Sequence, residues 1–354
     1  MSYGRCFMEL FEIIAESLRR GGADVFIVPG SPLMLKYKGR FEALGTEKLT
    51  AADTEILLRE IYGMSSNRLL DDLLYSGDDD FSFSIQNLGR FRCSAYRQRG
   101  SLAAVLRVVS FGLPDPEEKQ IPGEVLELAD AAKGLIFVTG PAVSGKSTTL
   151  ACMIDRINNT RHGHIVTIED PIEYIHQHAG CIVSQREVRT DTGSFGGAIK
   201  AALRQNADVI MLGQMPDAAT VQAAAQAAAQ AAEMGRLVLA EGYIYGLSKL
   251  VSALVDSLED GQKSLFRAWL SVALSAVVTQ KLIPAEDGDV VPVFDVLRIT
   301  PEIRASIREG EDLTRYDQGM DEKIYELWAA GRITRDAALT HADDAARLAK
   351  MIDG

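Results

Sequence analysis

The octapeptide GPAVSGKS, at residues 140–147, constrains this chain more than any other stretch. It matches the pattern G-x-x-x-x-G-K-[S/T], in which glycines let backbone N–H groups close around phosphate oxygens. The apolar run GLIFVT precedes it, and the amphipathic segment STTLACMIDRINN overlaps its end and continues beyond it. A chance glycine turn is the alternative, but a strand before the loop and a helix after it are the context that phosphate binding requires. The sequence therefore predicts a phosphate-binding loop.

Each polar residue type in this loop has a role toward a nucleotide. The side chain of Lys146 is expected to reach the β and γ phosphates, and the hydroxyl of Ser147 is expected to bind the accompanying Mg²⁺. We therefore predict that the chain binds ATP or ADP together with Mg²⁺. The predicted nucleotide-binding residues are Gly140, Ser144, Gly145, Lys146, Ser147 and Thr148.

A second candidate group follows the next apolar strand, in the segment TIEDPIEY. Glu169 and Asp170 are expected at the carboxyl edge of a parallel sheet, which is the edge where α/β folds bind ligands. A carboxylate there can orient an attacking water or contribute to the Mg²⁺ site beside Ser147. The alternative is an exposed acidic turn that begins at Asp170-Pro171. We predict that Glu169 is a catalytic carboxylate and a second metal-site residue.

The Pro-rich, charged segment FGLPDPEEKQIPG separates two kinds of pattern. Before it, strand-like runs alternate with Gly and Pro turns, and Thr50 is expected to cap a helix. After it, helical segments separate apolar runs that show little alternation, as in a mostly parallel sheet covered on both faces. The predicted organisation is an α/β protein with an N-terminal α+β domain at 1–112, a linker at 113–123, a phosphate-loop domain at 124–300 and a C-terminal helical subdomain at 301–354.

The charge balance limits the partners of the chain. It has 37 basic and 49 acidic residues, which give a formal net charge of -12. Because duplex nucleic acid is bound through basic surfaces, we expect no nucleic-acid binding. The sequence contains neither a signal peptide nor an apolar window of membrane-spanning length, and its four cysteines lack paired spacing. These features predict a cytoplasmic protein with reduced thiols.

The ordered motifs resemble the type IV pilus retraction (twitching motility) ATPases of the PilT/PilU group, within the secretion-ATPase superfamily. The resemblance is carried by GGADVFIVPGSPLMLKYKGR, GRFRCSAYRQRG, GPAVSGKSTTLACMIDRIN and GHIVTIEDPIEYIHQHAGCIVSQREV. It runs from near residue 7 to the end of the chain. The last of these segments and the ending AGRITRDAALTHADDAARL are more similar to PilU than to PilT.

The resemblance implies a Per-ARNT-Sim (PAS)-like N-terminal domain, a RecA-like ATPase domain and a homohexameric ring. Such rings act in the cytoplasm, peripheral to the inner membrane at the base of the pilus, and pull on an inner-membrane platform protein. The acidic box of the family corresponds to Glu169, Asp170 and Glu173. Its arginine fingers correspond to Arg92 and Arg107, for which a solvated strand face is the alternative.

The chain departs from the family pattern at several positions that serve catalysis. An amide can orient a water but cannot accept its proton, and losing a general base typically costs about 10²–10⁴ in rate. A β-branched residue in place of glycine restricts the backbone close to the phosphates. The departures are Ala142 and Val143 in place of Thr-Gly, Gln214 in place of the Walker B glutamate, and Arg236 and Tyr243 in place of the histidine-box histidines.

Two hypotheses follow from these departures. In the first, the chain is an active motor in which Glu169 activates water and Gln214 only positions it. In the second, the chain binds ATP without useful hydrolysis and serves as a structural or regulatory partner of an active paralogous retraction ATPase. Because the departures occur together, we predict nucleotide binding with low turnover.

Overall fold

The computed structural model describes residues 10–19, 24–37, 40–65, 68–85, 88–109, 112–215, 217–256, 258–286, 288–317 and 319–353. The chain divides into two compact units. The first comprises residues 1–112 and 173–175, and the second comprises residues 113–172 and 176–354. The short acidic-box segment at 173–175 therefore groups with the first unit, which the sequence pattern did not indicate.

In its described residues, the first unit contains an antiparallel sheet and three helices. The helices are α1 (Leu10–Arg19), α2 (Ala51–Met64) and α3 (Leu70–Ser76). The strands are β1 (Asp24–Ile27), β2 (Leu33–Tyr37), β3 (Arg40–Leu44), β4 (Asp78–Ile85), β5 (Gly89–Gln98) and β6 (Ser101–Val109). They pair in the order β3-β2-β1-β6-β5-β4, and every pair is antiparallel.

Local chemistry fixes the ends of several of these elements. Thr50 caps α2 as predicted, because its hydroxyl accepts from the backbone of Asp53 while the Asp53 carboxylate accepts from the backbone of Thr50. The strands β5 and β6 are joined by only two residues, Arg99 and Gly100, and both have positive φ. This is the turn geometry that matches the twist of a tight hairpin.

The second unit is built on a seven-stranded sheet. Its strands are β7 (Gly134–Thr139), β8 (Gly163–Glu169), β9 (Cys181–Glu187), β10 (Val209–Leu212), β11 (Leu237–Gly242), β12 (Leu274–Pro284) and β13 (Val290–Arg298). They pair in the order β13-β12-β7-β11-β10-β8-β9, and all neighbours are parallel except β12 and β13. The carboxyl ends of the central strands consequently meet at one edge, where ligands bind in open parallel sheets.

Helices cover both faces of this sheet. They are α4 (Gly123–Glu127), α5 (Lys146–Thr160), α6 (Phe195–Arg204), α7 (Ala218–Glu233), α8 (Leu247–Asp256), α9 (Asp260–Ala273), α10 (Pro301–Glu309), α11 (Gly319–Ala329), α12 (Arg335–His341) and α13 (Ala345–Asp353). One core lies between the sheet and α5, and the larger core lies between the opposite face and α6 to α10. A separate small core joins α11 to α13 with the ends of β12 and β13.

The segment QAAAQAAAQAAE, at residues 222–233, forms all but the first four residues of α7. The Asp217 carboxylate caps the helix by accepting from the backbone of Thr220 at 2.8 Å. The alanines between positions 224 and 232 are buried against the sheet and neighbouring helices, while Gln230 is exposed. Small side chains here let the helix approach its neighbours closely.

These observations confirm the predicted fold class, with a PAS-like α+β N-terminal unit followed by a RecA-like unit with C-terminal helices. Among the residues described, no helix is both long and apolar enough to cross a membrane. The finer domain limits at 113–123 and 301–354 stay predictions.

Candidate active site

The phosphate-binding loop connects β7 to α5 at the carboxyl edge of the sheet. Gly140 has φ +150°, and a Cβ atom on it would lie 2.1 Å from the carbonyl oxygen of Gln280. Gly145 has φ +87°, and a Cβ atom there would lie 2.8 Å from the amide nitrogen of the Gln280 side chain. Both positions therefore require glycine for conformation and for space.

Gln280 supports this loop from the neighbouring strand β12, and the sequence analysis did not identify it. Its side chain is buried, and its Oε1 accepts a 2.7 Å hydrogen bond from the hydroxyl of Thr149 in the first turns of α5. The polar run Thr279-Gln280-Lys281 inside an otherwise apolar strand is the signal that could have found it.

Val143 occupies a conformation that suits glycine. Its φ is +61°, in the left-handed region, and its side chain is 91% exposed. A β-branched residue is strained in this region, because its Cβ substituents crowd the backbone. The predicted restriction of the loop at Val143 thus corresponds to a strained backbone at its tip.

Lys146 lies at the start of α5 and is 3% exposed. Its Nζ donates a 2.7 Å hydrogen bond to the carbonyl oxygen of Pro141 and lies 3.6 Å from Oε1 of Glu241. The ring of Tyr243 is 5.0 Å away, measured from Nζ to the ring centroid. The ammonium group is therefore held inside the loop by a carbonyl, a carboxylate and an aromatic face.

Two serines in the loop carry its hydroxyl groups. The Ser144 hydroxyl is buried, and none of the residues described provides a hydrogen-bond partner for it. The Ser147 hydroxyl donates a 3.1 Å hydrogen bond to Oε2 of Glu241. A phosphate oxygen would satisfy the buried Ser144 hydroxyl, and the adjacent Ser147 and Glu241 oxygens are of the type that Mg²⁺ prefers. The loop thus fits a Mg²⁺-nucleotide, with Thr148 following in the first turn of α5.

Glu169 ends β8 with its side chain buried. Its Oε1 accepts hydrogen bonds from the Thr167 hydroxyl at 2.6 Å and from the Gln185 side-chain amide at 3.3 Å. Gly213 packs directly against it, because a Cβ atom on Gly213 would lie 3.2 Å from Cγ of Glu169. Gln214 comes next and is exposed, so the structure brings Glu169 and Gln214 to the same edge of the sheet. The carboxylate that contacts Ser147, however, is Glu241.

Beyond Glu169, the remaining acidic-box residues lie in different surroundings. The Asp170 carboxylate forms a 3.0 Å ion pair with Arg189, whereas Glu173 belongs to the first unit.

His176 follows the acidic box and is buried. Its backbone N–H donates to Oε1 of Gln185 at 2.7 Å, and burial lowers the pKa of the His176 imidazole to about 4. The imidazole is consequently neutral at physiological pH.

The two predicted arginine fingers lie opposite each other on β5 and β6 of the first unit. Arg92 Nε donates to Asp80 at 2.9 Å, and Arg107 Nε donates to Asp24 at 2.9 Å. These hydrogen bonds raise the pKa of both guanidinium groups above the ordinary value. Both arginines are thus fixed in direction by carboxylates of neighbouring strands, and their assignment as fingers stays a prediction.

The two histidine-box positions are far apart. Tyr243 follows the carboxyl end of β11 beside Lys146, whereas Arg236 precedes its amino end and forms a 3.3 Å ion pair with Asp208. Four residues of strand lie between Arg236 and Glu241, which places these two positions about 16 Å apart along β11. Within a single chain, Tyr243 therefore lies beside the phosphate-binding loop and Arg236 lies away from it, and their assignment to the histidine box stays a prediction.

Comparison with known proteins places this site in a family. The family described as "Type II/IV secretion system protein" matches residues 101–289. The type IV pilus ATPase PilU of Pseudomonas aeruginosa is 36% identical over 356 residues, covering 98% of this chain and 91% of that protein. The type IV pilus retraction ATPase PilT of the same organism is 34% identical over 342 residues, covering 94% of this chain and 97% of that protein.

A solved structure gives the same result. The crystal structure of the pilus retraction motor PilT with bound ADP superimposes with a TM-score of 0.88 at 38% identity, covering 98% of this chain and all (100%) of that one. Sequence and structure agree over nearly the full length of the chain, which confirms the resemblance predicted from its motifs. The chain belongs to the family of type II/IV secretion system proteins.

Proposed function

We propose that this chain is a type IV pilus retraction ATPase subunit that binds Mg²⁺-ATP in the loop at Gly140–Ser147. The observation that carries the proposal is the setting of Lys146, which is buried at the N-terminus of α5 and held within the loop. Its relatives PilU and PilT are pilus ATPases, and a PilT structure contains ADP.

Different groups of the loop bind different parts of the Mg²⁺-nucleotide. Backbone N–H groups and the N-terminus of α5 attract the phosphates, and Lys146 exchanges the Pro141 carbonyl for a phosphate oxygen. The Ser147 hydroxyl holds the metal that enters with the nucleotide. Mg²⁺, when bound, offsets the negative charge on the phosphates during transfer. Glu169, kept in place by Thr167 and Gln185, orients the attacking water.

Family membership supports the assembly that we propose. The chain forms a homohexameric ring in the cytoplasm at the inner-membrane base of the pilus, where it acts on a platform protein. Arg92 and Arg107 of one subunit then approach the nucleotide of its neighbour, releasing Asp80 and Asp24 as they do so. Mass photometry of the purified chain with and without ADP tests the ring.

A second candidate function is a non-hydrolysing subunit that partners an active paralogous retraction ATPase. The observation that favours it is the exposed amide of Gln214, which cannot accept a proton from water. Both candidates require nucleotide binding, and they differ in turnover.

Calorimetric titration with ADP and Mg²⁺ tests the shared requirement. We expect the wild type to bind ADP, Lys146→Ala to lose most of the affinity, and Lys133→Ala, an exposed lysine before β7, to bind as the wild type does. Absence of binding by the folded wild type would exclude both candidates. Steady-state phosphate release then separates them, since Lys146-dependent hydrolysis at a useful rate excludes the non-hydrolysing subunit.

A further inference from the structure

A buried carboxylate that is absent from every motif of the sequence analysis lies at the phosphate-binding loop. Glu241, near the end of β11, is 4% exposed. Its Oε2 accepts from the Ser147 hydroxyl at 3.1 Å, and its Oε1 lies 3.6 Å from the Lys146 ammonium. Burying a carboxylate is costly unless cations or donors compensate it, and both of these groups belong to the nucleotide site.

The strand register explains how Glu241 reaches this position. It pairs with Val138 of β7, and Val138 belongs to the core on the α5 side of the sheet. Because paired residues of parallel strands point to the same face, the Glu241 side chain projects toward α5, which carries Ser147. The position of this carboxylate is thus set by the sheet.

The same register places a second carboxylate on this face. Leu212 of β10 pairs with both Ala240 and Ile168, so the next residues, Gly213, Glu241 and Glu169, form one row across three strands. Gly213 lies in the middle and has no side chain. Glu241 and Glu169 therefore lie on opposite sides of the space above Gly213, at the edge of the sheet where the phosphate-binding loop lies.

We propose that Glu241 is a carboxylate of the Mg²⁺ site in this chain and supplies, from β11, the negative charge that Gln214 cannot supply from β10. The proposal rests on the nucleotide binding proposed above. In phosphate-loop ATPases the metal is held between the loop Ser or Thr and a carboxylate. Here the carboxylate that hydrogen-bonds the loop Ser147 is Glu241.

The electrostatics of this arrangement predict a specific dependence on metal. Without a divalent cation, the Glu241 carboxylate repels the phosphates and competes for Lys146. With the cation bound, the Glu241 carboxylate would help to hold Mg²⁺, and the metal would attract the phosphates. The wild type should therefore bind ADP much more tightly with Mg²⁺ than without it, and Glu241→Gln should lose this difference.

The experiment measures ADP affinity of the full-length chain by calorimetry in Mg²⁺ and in EDTA, and Mn²⁺ affinity in the presence of ADP by electron paramagnetic resonance. We expect Glu241→Gln to weaken Mn²⁺ binding by about 10- to 100-fold and to bind metal-free ADP at least as well as the wild type. Gln230→Glu, which adds a carboxylate at the far end of α7, serves as the control and should match the wild type.

The outcomes separate this inference from the proposed function. A wild type that does not bind ADP contradicts the proposed function itself. A wild type that binds ADP with unchanged metal dependence in Glu241→Gln contradicts only the metal-site role. If Glu241→Gln raises the affinity for ADP by the same factor with and without Mg²⁺, Glu241 acts only by occupying the Lys146 ammonium. That result would also overturn the inference. If Glu241→Gln does not fold, Glu241→Asp decides, because unchanged Mn²⁺ affinity after moving the charge excludes a metal-site carboxylate.

Discussion

The Thr149 hydroxyl donates a 2.7 Å hydrogen bond to Oε1 of Gln280, which links α5 to β12 beneath the phosphate-binding loop. Both side chains are buried, so neither has water as an alternative partner. The carbonyl of Gln280 also lies where any side chain at Gly140 would have to go. One residue of β12 therefore fixes both the start of the loop and the helix that follows it.

Replacing Gln280 by leucine should destabilise the second unit. Leucine has a similar volume but leaves the Thr149 hydroxyl buried without a partner, at a cost of about 1–3 kcal/mol. The midpoint of urea unfolding should fall, and ADP affinity should fall with it because the loop loses its support. Gln262→Leu, on the exposed surface of α9, is the matched control and should change the midpoint little. An unchanged midpoint in Gln280→Leu would contradict this role.

Replacing Val143 by glycine should relieve strain in the loop. The left-handed backbone of Val143 costs about 1–2 kcal/mol for a residue with a Cβ atom, and glycine adopts it freely. We expect Val143→Gly to raise ADP affinity by a few fold in calorimetric titration. Val290→Gly, at an exposed position in extended strand β13, should instead lower stability and leave ADP affinity unchanged. Weaker ADP binding by Val143→Gly would show that the loop uses the valine side chain.

The phosphate-binding loop could be predicted from the sequence because its chemistry is local. The glycines, Lys146 and Ser147 occupy consecutive positions, and the flanking strand and helix are encoded by their own apolar patterns. Glu169 was predicted for a related reason, since it directly follows a recognisable apolar strand. Similarity to a known family then supplied the fold of the first unit, which the short strand patterns alone do not determine.

The residues that no sequence motif identifies depend on pairing between distant strands. Glu241 and Gln280 reach the loop only because β11 and β12 both lie beside β7, and no local pattern specifies strand order. Arg236 and Tyr243 are close in sequence, but a strand extends about 3.3 Å per residue and carries them to opposite edges. Segment 173–175 groups with the first unit through contacts distant in sequence.

Asp295 should make stability depend on pH. Burial, followed by the carboxylates of Asp317 and Asp343, raises the pKa of Asp295 from 3.8 to about 6. Between about pH 4 and pH 6 the folded chain retains a proton that the unfolded chain has released, so this group lowers stability as pH rises through that window. The penalty persists above pH 6.

Asp295→Asn removes this penalty. We expect the variant to be more stable than the wild type by about 1–3 kcal/mol at pH 8 and to differ little at pH 4. Urea unfolding at both pH values measures the difference. Asp256→Asn changes the same charge at an exposed position at the end of α8 and should show no such pH dependence. A gain in Asp295→Asn of equal size at both pH values would mean that packing, not titration, is responsible.

Gln214→Glu should separate proton transfer from metal binding. If Glu241 serves the metal, position 214 lacks only a group that accepts the proton of the attacking water. A glutamate there should raise the rate of phosphate release by about 10²-fold or more, in line with the roughly 10²–10⁴ that a general base contributes, while Mn²⁺ affinity stays unchanged. Glu241→Gln should show the reverse pattern, with the larger effect on metal affinity. If Gln214→Glu still binds Mg²⁺-ADP but its turnover is unchanged, the low rate of hydrolysis has another cause. Val143 is then the next position to replace, because its backbone is strained in the same phosphate-binding loop.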